Sequence, residues 1–203
     1  MTNLRDRRRR ETARDIQVAA LGLSLRDGYC TATTDAIAAE AGISTRTFFN
    51  YYPNKQAAIL GVPPVLDAEA GAWIVTSNRP ILNDILRLLN EMLMEDAPDR
   101  RILCMIGQLI DRTPELRPLF SLSLDRITLT LAGLLQQRLG ETRLSEAQLL
   151  AALATHALSN AVRAWGLDPD MPDSRIIEQT RDQLENVGQL MCKCVRNADG
   201  SAG

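Results

Sequence analysis

The sequence predicts an all-α protein, and three observations predict it. Leu/Ala-rich stretches repeat at helical spacing along most of the 203 residues, strand-like alternation is nearly absent, and nine prolines punctuate the chain. A 45% apolar content suffices to core one large domain or two small ones. The formal charge of -2 hides an asymmetry. Residues 1 to 60 carry nine basic and six acidic side chains, a net of +3, and the remainder nets -5. The chain therefore reads as a basic module joined to an acidic one.

The first ten residues hold Arg5, Arg7, Arg8, Arg9 and Arg10 against a single Asp6. Such a cluster is expected to be mobile when free and to neutralise phosphates or enter a minor groove beside a nucleic-acid reader. A helix is expected over 11–27, burying Ala13, Ile16, Ala20 and Leu23, with Gly28 as its left-handed cap and Tyr29 packing back on it. Thr33 or Thr34 can cap the next helix, which carries Ile37, Ala38 and Ala41 on one face and stops at Gly42. Ser44 caps a third helix. At 100° per residue, Thr45, Arg46, Phe49 and Asn50 fall on one side of it and Phe48 and Tyr52 on another.

A guanidinium, an amide, a hydroxyl and an aromatic edge make physical sense as a base-reading face. Arginine pairs bidentately with guanine, asparagine with adenine, and an apolar edge meets the thymine methyl, all in the major groove. Two helices joined by a short glycine-containing turn form a helix-turn-helix, whose second helix enters that groove. Asn54 caps a fourth helix beginning at Lys55, where a cation opposes the helix dipole; this suggests a DNA phosphate held by the ammonium and the free amides.

The stretch IAAEAGISTRTFFNYYPNK, with the basic start, the helix IQVAALGL and the Gly28-Tyr29 pair upstream, resembles the DNA-binding signature of the TetR family of bacterial transcriptional regulators. The resemblance covers about the first 60 residues. It implies an all-helical homodimer with an N-terminal three-helix helix-turn-helix DNA-binding domain and a C-terminal helical ligand-binding and dimerisation domain. In the family pattern the positions of Tyr51 and Lys55 contact phosphate; Thr33, Thr34, Thr47, Arg8 and Arg9 complete the expected phosphate set, and Thr45, Arg46, Phe49 and Asn50 the base-reading set. Gly61, Val62, Pro63 and Pro64 mark a boundary, so the domains are expected at 1–61 and 62–197, with a disordered tail at 198–203.

Beyond that boundary the periodicity predicts a helix within 66–75, one over 81–94 and one over 100–112. A long helix to 139 opens on Thr113 and Pro114, another over 145–165 on a Ser145/Gln148 capping box, and a last one, to about 195, is capped by Asp173 or Ser174. The two last helices, rich in alanine, suit a symmetric four-helix bundle, the dimer interface that the resemblance implies, through Leu153, Ala157, Ala161, Leu184, Val187 and Met191. Candidates for an effector cavity are Met92, Met105, Leu109, Phe120, Leu124, Ile127, His156 and Trp165, each of which has an ordinary core reading. His156 is the single histidine and shares no metal-ligand pattern; Cys30, Cys104, Cys192 and Cys194 lack the second pair of a zinc site and are expected as buried reduced thiols. No catalytic set, phosphate loop, metal or cofactor site is expected, and no stretch approaches an uninterrupted membrane span.

The sequence reading is a cytoplasmic, ligand-responsive DNA-binding regulator, a repressor that binds a palindromic operator as a dimer and is released by a small molecule; its expected partners are an operator duplex, a small-molecule effector and a second copy of the chain. Its alternatives are a thiol-based redox regulator of the same fold and, in a different class, a membrane-surface protein using residues 1–25 as a basic amphipathic helix.

Overall fold

The computed structural model describes residues 4–95 and 97–199, with side chains for all of these except 6, 123 and 193–199. Among the described residues the chain is helical and has no strand. The helices are α1 (Leu4–Asp27), α2 (Thr34–Glu40), α3 (Thr45–Tyr51), α4 (Lys55–Leu60), α5 (Trp73–Thr76), α6 (Ile81–Glu95), α7 (Arg100–Arg112), α8 (Arg117–Leu139), α9 (Leu144–Leu167) and α10 (Arg175–Asp199). Single 3-10 turns precede α8 at Pro114–Leu116 and α9 at Glu141–Arg143. The tail expected to be disordered lies, from residue 200 onward, outside the described residues, and α10 runs through Asp199.

The helices fall into two compact units. The first comprises Met1–Pro64 and Asp99–Leu124, the second Val65–Pro98 and Asp125–Gly203. Sequence reasoning assigned 62–197 to one domain. Residues 99–124 group with the first unit because Ile102, Ile106, Leu109 and Leu116 bury in the same core as Ile16, Ala20, Ile37 and Phe48. Such contacts join residues far apart in the chain, and helical periodicity alone does not reveal a helix's partner.

In the first unit α1 begins at Leu4, seven residues before the expected start. Arginine is a good helix former, and Arg7 pairs with Glu11 one turn on at 3.0 Å, so the arginine cluster is helical and not a mobile arm. Ile16, Ala20, Leu21 and Leu23 of α1 enter the core. Helix α7 runs beside α1 in the same direction and is tied at both ends. Arg14 of α1 pairs with Asp99, which also caps α7 by accepting from the Ile102 amide at 3.1 Å. At the other end Arg112 donates to the Leu25 carbonyl at 3.1 Å.

In the second unit α10 packs along α9 and touches α6. Arg138 near the end of α8 reaches the fully buried Asp84 of α6 at 2.8 Å and the Arg79 carbonyl at 2.6 Å. Burial pushes the Asp84 carboxyl up, but the Ser77 hydroxyl and the Arg138 charge more than offset it and hold it below the usual carboxylate value. Two local expectations are corrected here. The segment 66–75 is mostly turn, with only Trp73–Thr76 helical, because the Asp67 carboxylate caps a turn by accepting from the Glu69 and Ala70 amides. Helix α9 carries no side-chain cap from Ser145, since the Glu141–Arg143 turn feeds straight into it. By length and average hydropathy Pro114–Leu139 is apolar enough to cross a membrane, although Arg117, Asp125 and Arg126 interrupt its apolar run, as the sequence reading has it. Its Ile127, Leu131, Leu134 and Leu135 are buried in the protein, and its Leu122 and Leu129 are exposed.

Candidate nucleic-acid interface

The helix-turn-helix is built from local rules. Thr33 caps α2 by accepting from the Ala36 amide at 3.2 Å, and α2 ends where Gly42 takes a φ of +68°, a conformation that costs other residues strain. The chain folds back there through amide donation from Gly42 to Ala39 and from Ile43 to Ala38. Ser44 then caps α3, accepting from the Thr47 amide at 3.1 Å. The inner face of α3 is fixed by Phe48, which is fully buried, and the chain leaves it through Tyr52, whose hydroxyl donates to the Ala13 carbonyl of α1 at 3.2 Å. Burial pushes the Tyr52 phenol up to about 12. The opposite face is open: Arg46 and Asn50 are exposed, and Phe49 keeps 52% of its surface while its ring meets Phe48 edge-on at 5.4 Å.

Thr45 differs from the other three residues expected to read bases. It is half-buried, and its hydroxyl donates to the Asp35 carboxylate of α2 at 2.7 Å, bracing the two helices against each other. The hydroxyl is thus already engaged, tying the start of α3 to α2. Thr47 is also engaged, 2.8 Å from the Ser44 hydroxyl.

The residues expected at phosphates lie on α1, α2, α3 and α4 or at their caps. Thr33 and Thr34 stand at the start of α2, and Arg8 and Arg9 are exposed on the first turns of α1. The Arg9 guanidinium lies over the Tyr51 ring, 5.2 Å from its centroid, so α1 contacts the end of α3. Lys55 is not free. Its ammonium donates to the Tyr29 carbonyl at 2.7 Å and lies 4.2 Å from the centroid of the Tyr29 ring. Sequence reasoning paired Lys55 only with DNA and treated Tyr29 only as packing. It also missed Asp35, and it missed Gln17, whose buried amide donates to the Ile59 carbonyl at the end of α4. Gly61 leaves room for that amide, since a Cβ there would collide with it. These partners come from other elements, and spacing gives no sign of them.

The residues expected to line an effector cavity do not gather in either unit. Met105, Leu109, Phe120 and Leu124 belong to the first, where Leu109 is buried and Met105 and Phe120 pack on its core. Met92, Ile127, His156 and Trp165 belong to the second. There Ile127 and Trp165 are buried, Trp165 donates to Asp173 at 3.0 Å, and His156 is exposed on α9. A groove of about 370 Å³ in the second unit is lined by Leu66, Leu88 and Met92 together with Asp67, Glu91 and Glu95; Met92 alone belongs to the expected set. Among the described residues no group of three His, Cys, Asp or Glu could hold a metal ion. Cys30 and Cys192 are exposed and Cys104 half-buried, which corrects the expectation of buried thiols; Cys194 lies outside the described side chains.

The expected dimer residues divide as well. Leu153 on α9 and Val187 and Met191 on α10 are exposed, together with Leu149 and Leu190, and Leu184 is half-buried. Ala157 and Ala161 are corrected: both are already buried within the second unit and leave no surface for a second copy. Helix α9 is apolar on two faces, and the side holding the alanines is the one turned inward.

Comparison with known proteins agrees with this construction. The family described as bacterial regulatory proteins, tetR family, matches residues 16–60, which span the core half of α1, the helix-turn-helix and α4. A TetR-family transcriptional regulator from Mesorhizobium loti shares the fold with a TM-score of 0.50 and 18% identity, covering 88% of this chain and 96% of its own. FadR from Thermus thermophilus, a TetR-family transcriptional repressor solved with lauroyl-CoA, aligns with a TM-score of 0.50 and 20% identity over 85% of this chain and 91% of its own. None of the curated proteins matches the chain in sequence.

Proposed function

We propose that the chain, whose residues 16–60 match the tetR family of bacterial regulatory proteins, is a homodimeric transcriptional repressor of that family that grips a palindromic operator and is released by a small molecule. The observation that carries this reading is the two-sided α3, with Phe48 sealed into the core and Arg46, Phe49 and Asn50 turned to solvent. Arg46 pairs with guanine, Asn50 with adenine, and Phe49 meets a thymine methyl. Thr33, Thr34, Thr47, Tyr51, Lys55, Arg8 and Arg9 touch the backbone and set the register, with no sequence information of their own. Since the arginines of α1 are helical, their phosphate contacts extend in a fixed direction from the reading helix.

The second copy packs on the exposed Leu149, Leu153, Val187, Leu190 and Met191 of α9 and α10. In such a dimer the half-site centres lie about 34 to 36 Å apart, or a multiple of that. An effector lowers operator affinity only through its different affinities for the DNA-competent state and for the other state. Regulators of this family are in general non-enzymatic DNA-binding proteins of the cytoplasm, and the same work is proposed here. The membrane-surface alternative is disfavoured because Ile16, Ala20, Leu21 and Leu23, the apolar side of α1, are buried in the first unit and not available to lipid.

The test is an electrophoretic shift with DNA taken from beside the protein's own gene. A discrete retarded complex, competed by the same duplex and not by a scrambled one, supports the proposal; smearing at all sequences alike contradicts it. A thiol-responsive version is the second reading, favoured by the exposure of Cys30 in the turn before α2 and of Cys192. Oxidant-driven release that cysteine substitution abolishes supports it, and operator binding unchanged by oxidant removes it.

A further inference from the structure

We propose that Tyr29 is a positioning residue for DNA binding, holding the Lys55 ammonium in place before a phosphate arrives. This deepens the DNA-binding reading and rests on it. A lysine side chain is long and flexible, and fixing its rotamers on contact with DNA lowers affinity. Here much of that ordering precedes binding. The turn after α1 is rigid: Gly28 has a φ of +95°, its carbonyl accepts from the Thr31 and Ala32 amides, and the Thr31 hydroxyl also donates to it. That turn aims the Tyr29 carbonyl at Nζ of Lys55, 2.7 Å away, and sets the ring beneath the same ammonium at 4.2 Å. Both partners of the ammonium, a carbonyl and a ring, are neutral, so neither cancels its charge. An ammonium has three donors, and with one on the carbonyl and one over the ring, a third remains for a phosphate oxygen.

The test uses the full-length protein and a random-sequence 24-base-pair duplex, because a phosphate contact acts on every sequence. Fluorescence anisotropy is followed over a KCl titration. Lys55→Met is expected to reduce the salt slope by about 0.9, the loss of one phosphate contact. Tyr29→Leu is expected to weaken binding about 5-fold when Lys55 is present, a cost set by lysine rotamer freedom, and by less than about 1.5-fold in a Lys55→Met background. Tyr29→Phe, which keeps the ring, is expected to bind within about 2-fold of the parent. Equal losses in the two backgrounds, or no loss with Lys55 present, would overturn the proposal and assign Tyr29 to packing alone.

A purely structural role lowers the melting temperature without this coupling. If Tyr29→Leu does so, the unmodified protein decides the matter by NMR, because its only lysines are Lys55 and Lys193. After 15N-lysine labelling the Lys55 ammonium protons must resonate upfield of those of Lys193, through the Tyr29 ring current, and must shift when the duplex is added. Coincident signals overturn the proposal. Failure of the parent protein to bind any duplex would instead sink the DNA-binding reading itself, and the inference with it.

Discussion

Two neighbouring phenylalanines on α3 give opposite predictions. Phe48 is completely buried, edge-on to Phe49 at 5.4 Å and 6.4 Å from the Tyr52 ring, with Ile37, Ala38 and the α1 residues around it. Removing its ring leaves a cavity in the first unit, so Phe48→Ala should cost about 3 to 5 kcal/mol. Phe49 keeps 52% of its surface. Truncating it forgoes roughly half a phenylalanine's burial and one edge contact, so Phe49→Ala should cost only about 1 to 1.5 kcal/mol. With a urea dependence of about 2 kcal/mol/M, the midpoint falls by about 1.5 to 2.5 M in the first case and by less than about 0.8 M in the second. The chain supplies its own probes. Tyr29, Tyr51 and Tyr52 are the only tyrosines and lie in the first unit, while Trp73 and Trp165 are the only tryptophans and lie in the second. Tyrosine absorbance should therefore carry the whole difference between the variants. Equal midpoints for Phe48→Ala and Phe49→Ala would refute the division of α3 into a packed face and a free one.

Other consequences follow from buried polar groups and open apolar ones. Asp84→Ala strands the Arg138 guanidinium with only the Arg79 carbonyl and should lower the tryptophan-reported stability by about 3 kcal/mol, which urea unfolding would register. Tyr52 has a folded pKa of about 12 against 10.0 for the free phenol, so its burial favours the neutral form. Its contribution is complete below pH 10 and drains away as pH rises from 10 towards 12. Melting temperatures across that window should fall less steeply for Tyr52→Phe than for the parent, and parallel slopes would contradict this. Met191→Glu, on the exposed face of α10, should convert a dimer to a folded monomer by light scattering, whereas Ala157→Glu should cause loss of helix by circular dichroism because that position is inside the subunit.

What could be read in the chain, and what could not, divides along physical lines. The caps at Thr33, Ser44 and Asn54, the turn at Gly42 and the inward set of Phe48 and Tyr52 were legible because each depends on residues a few places away. The start of α1 was misjudged because a run of arginines suits a helix as well as a free arm, and only the Arg7–Glu11 pair and the core beneath α1 tip the balance. The Tyr29 hold on Lys55, the Asp35 hold on Thr45 and the docking of α7 on α1 are contacts between elements, for which a sequence pattern contains no register. Helix α9 offers apolar residues on opposite sides, so which side meets α10 and which stays open could not be chosen from periodicity. No pattern locates an effector cavity, because a cavity is set by what its walls fail to fill.

The most direct measurement compares Arg46→Ala with the parent on the operator and on a random duplex at one salt concentration. The account predicts a loss of about 1 to 3 kcal/mol per half-site on the operator, with preference relaxed at one base position and random-sequence binding unchanged within about 0.5 kcal/mol. An equal loss on both duplexes would show Arg46 to be a backbone contact and contradict the claim that the open face of α3 reads bases.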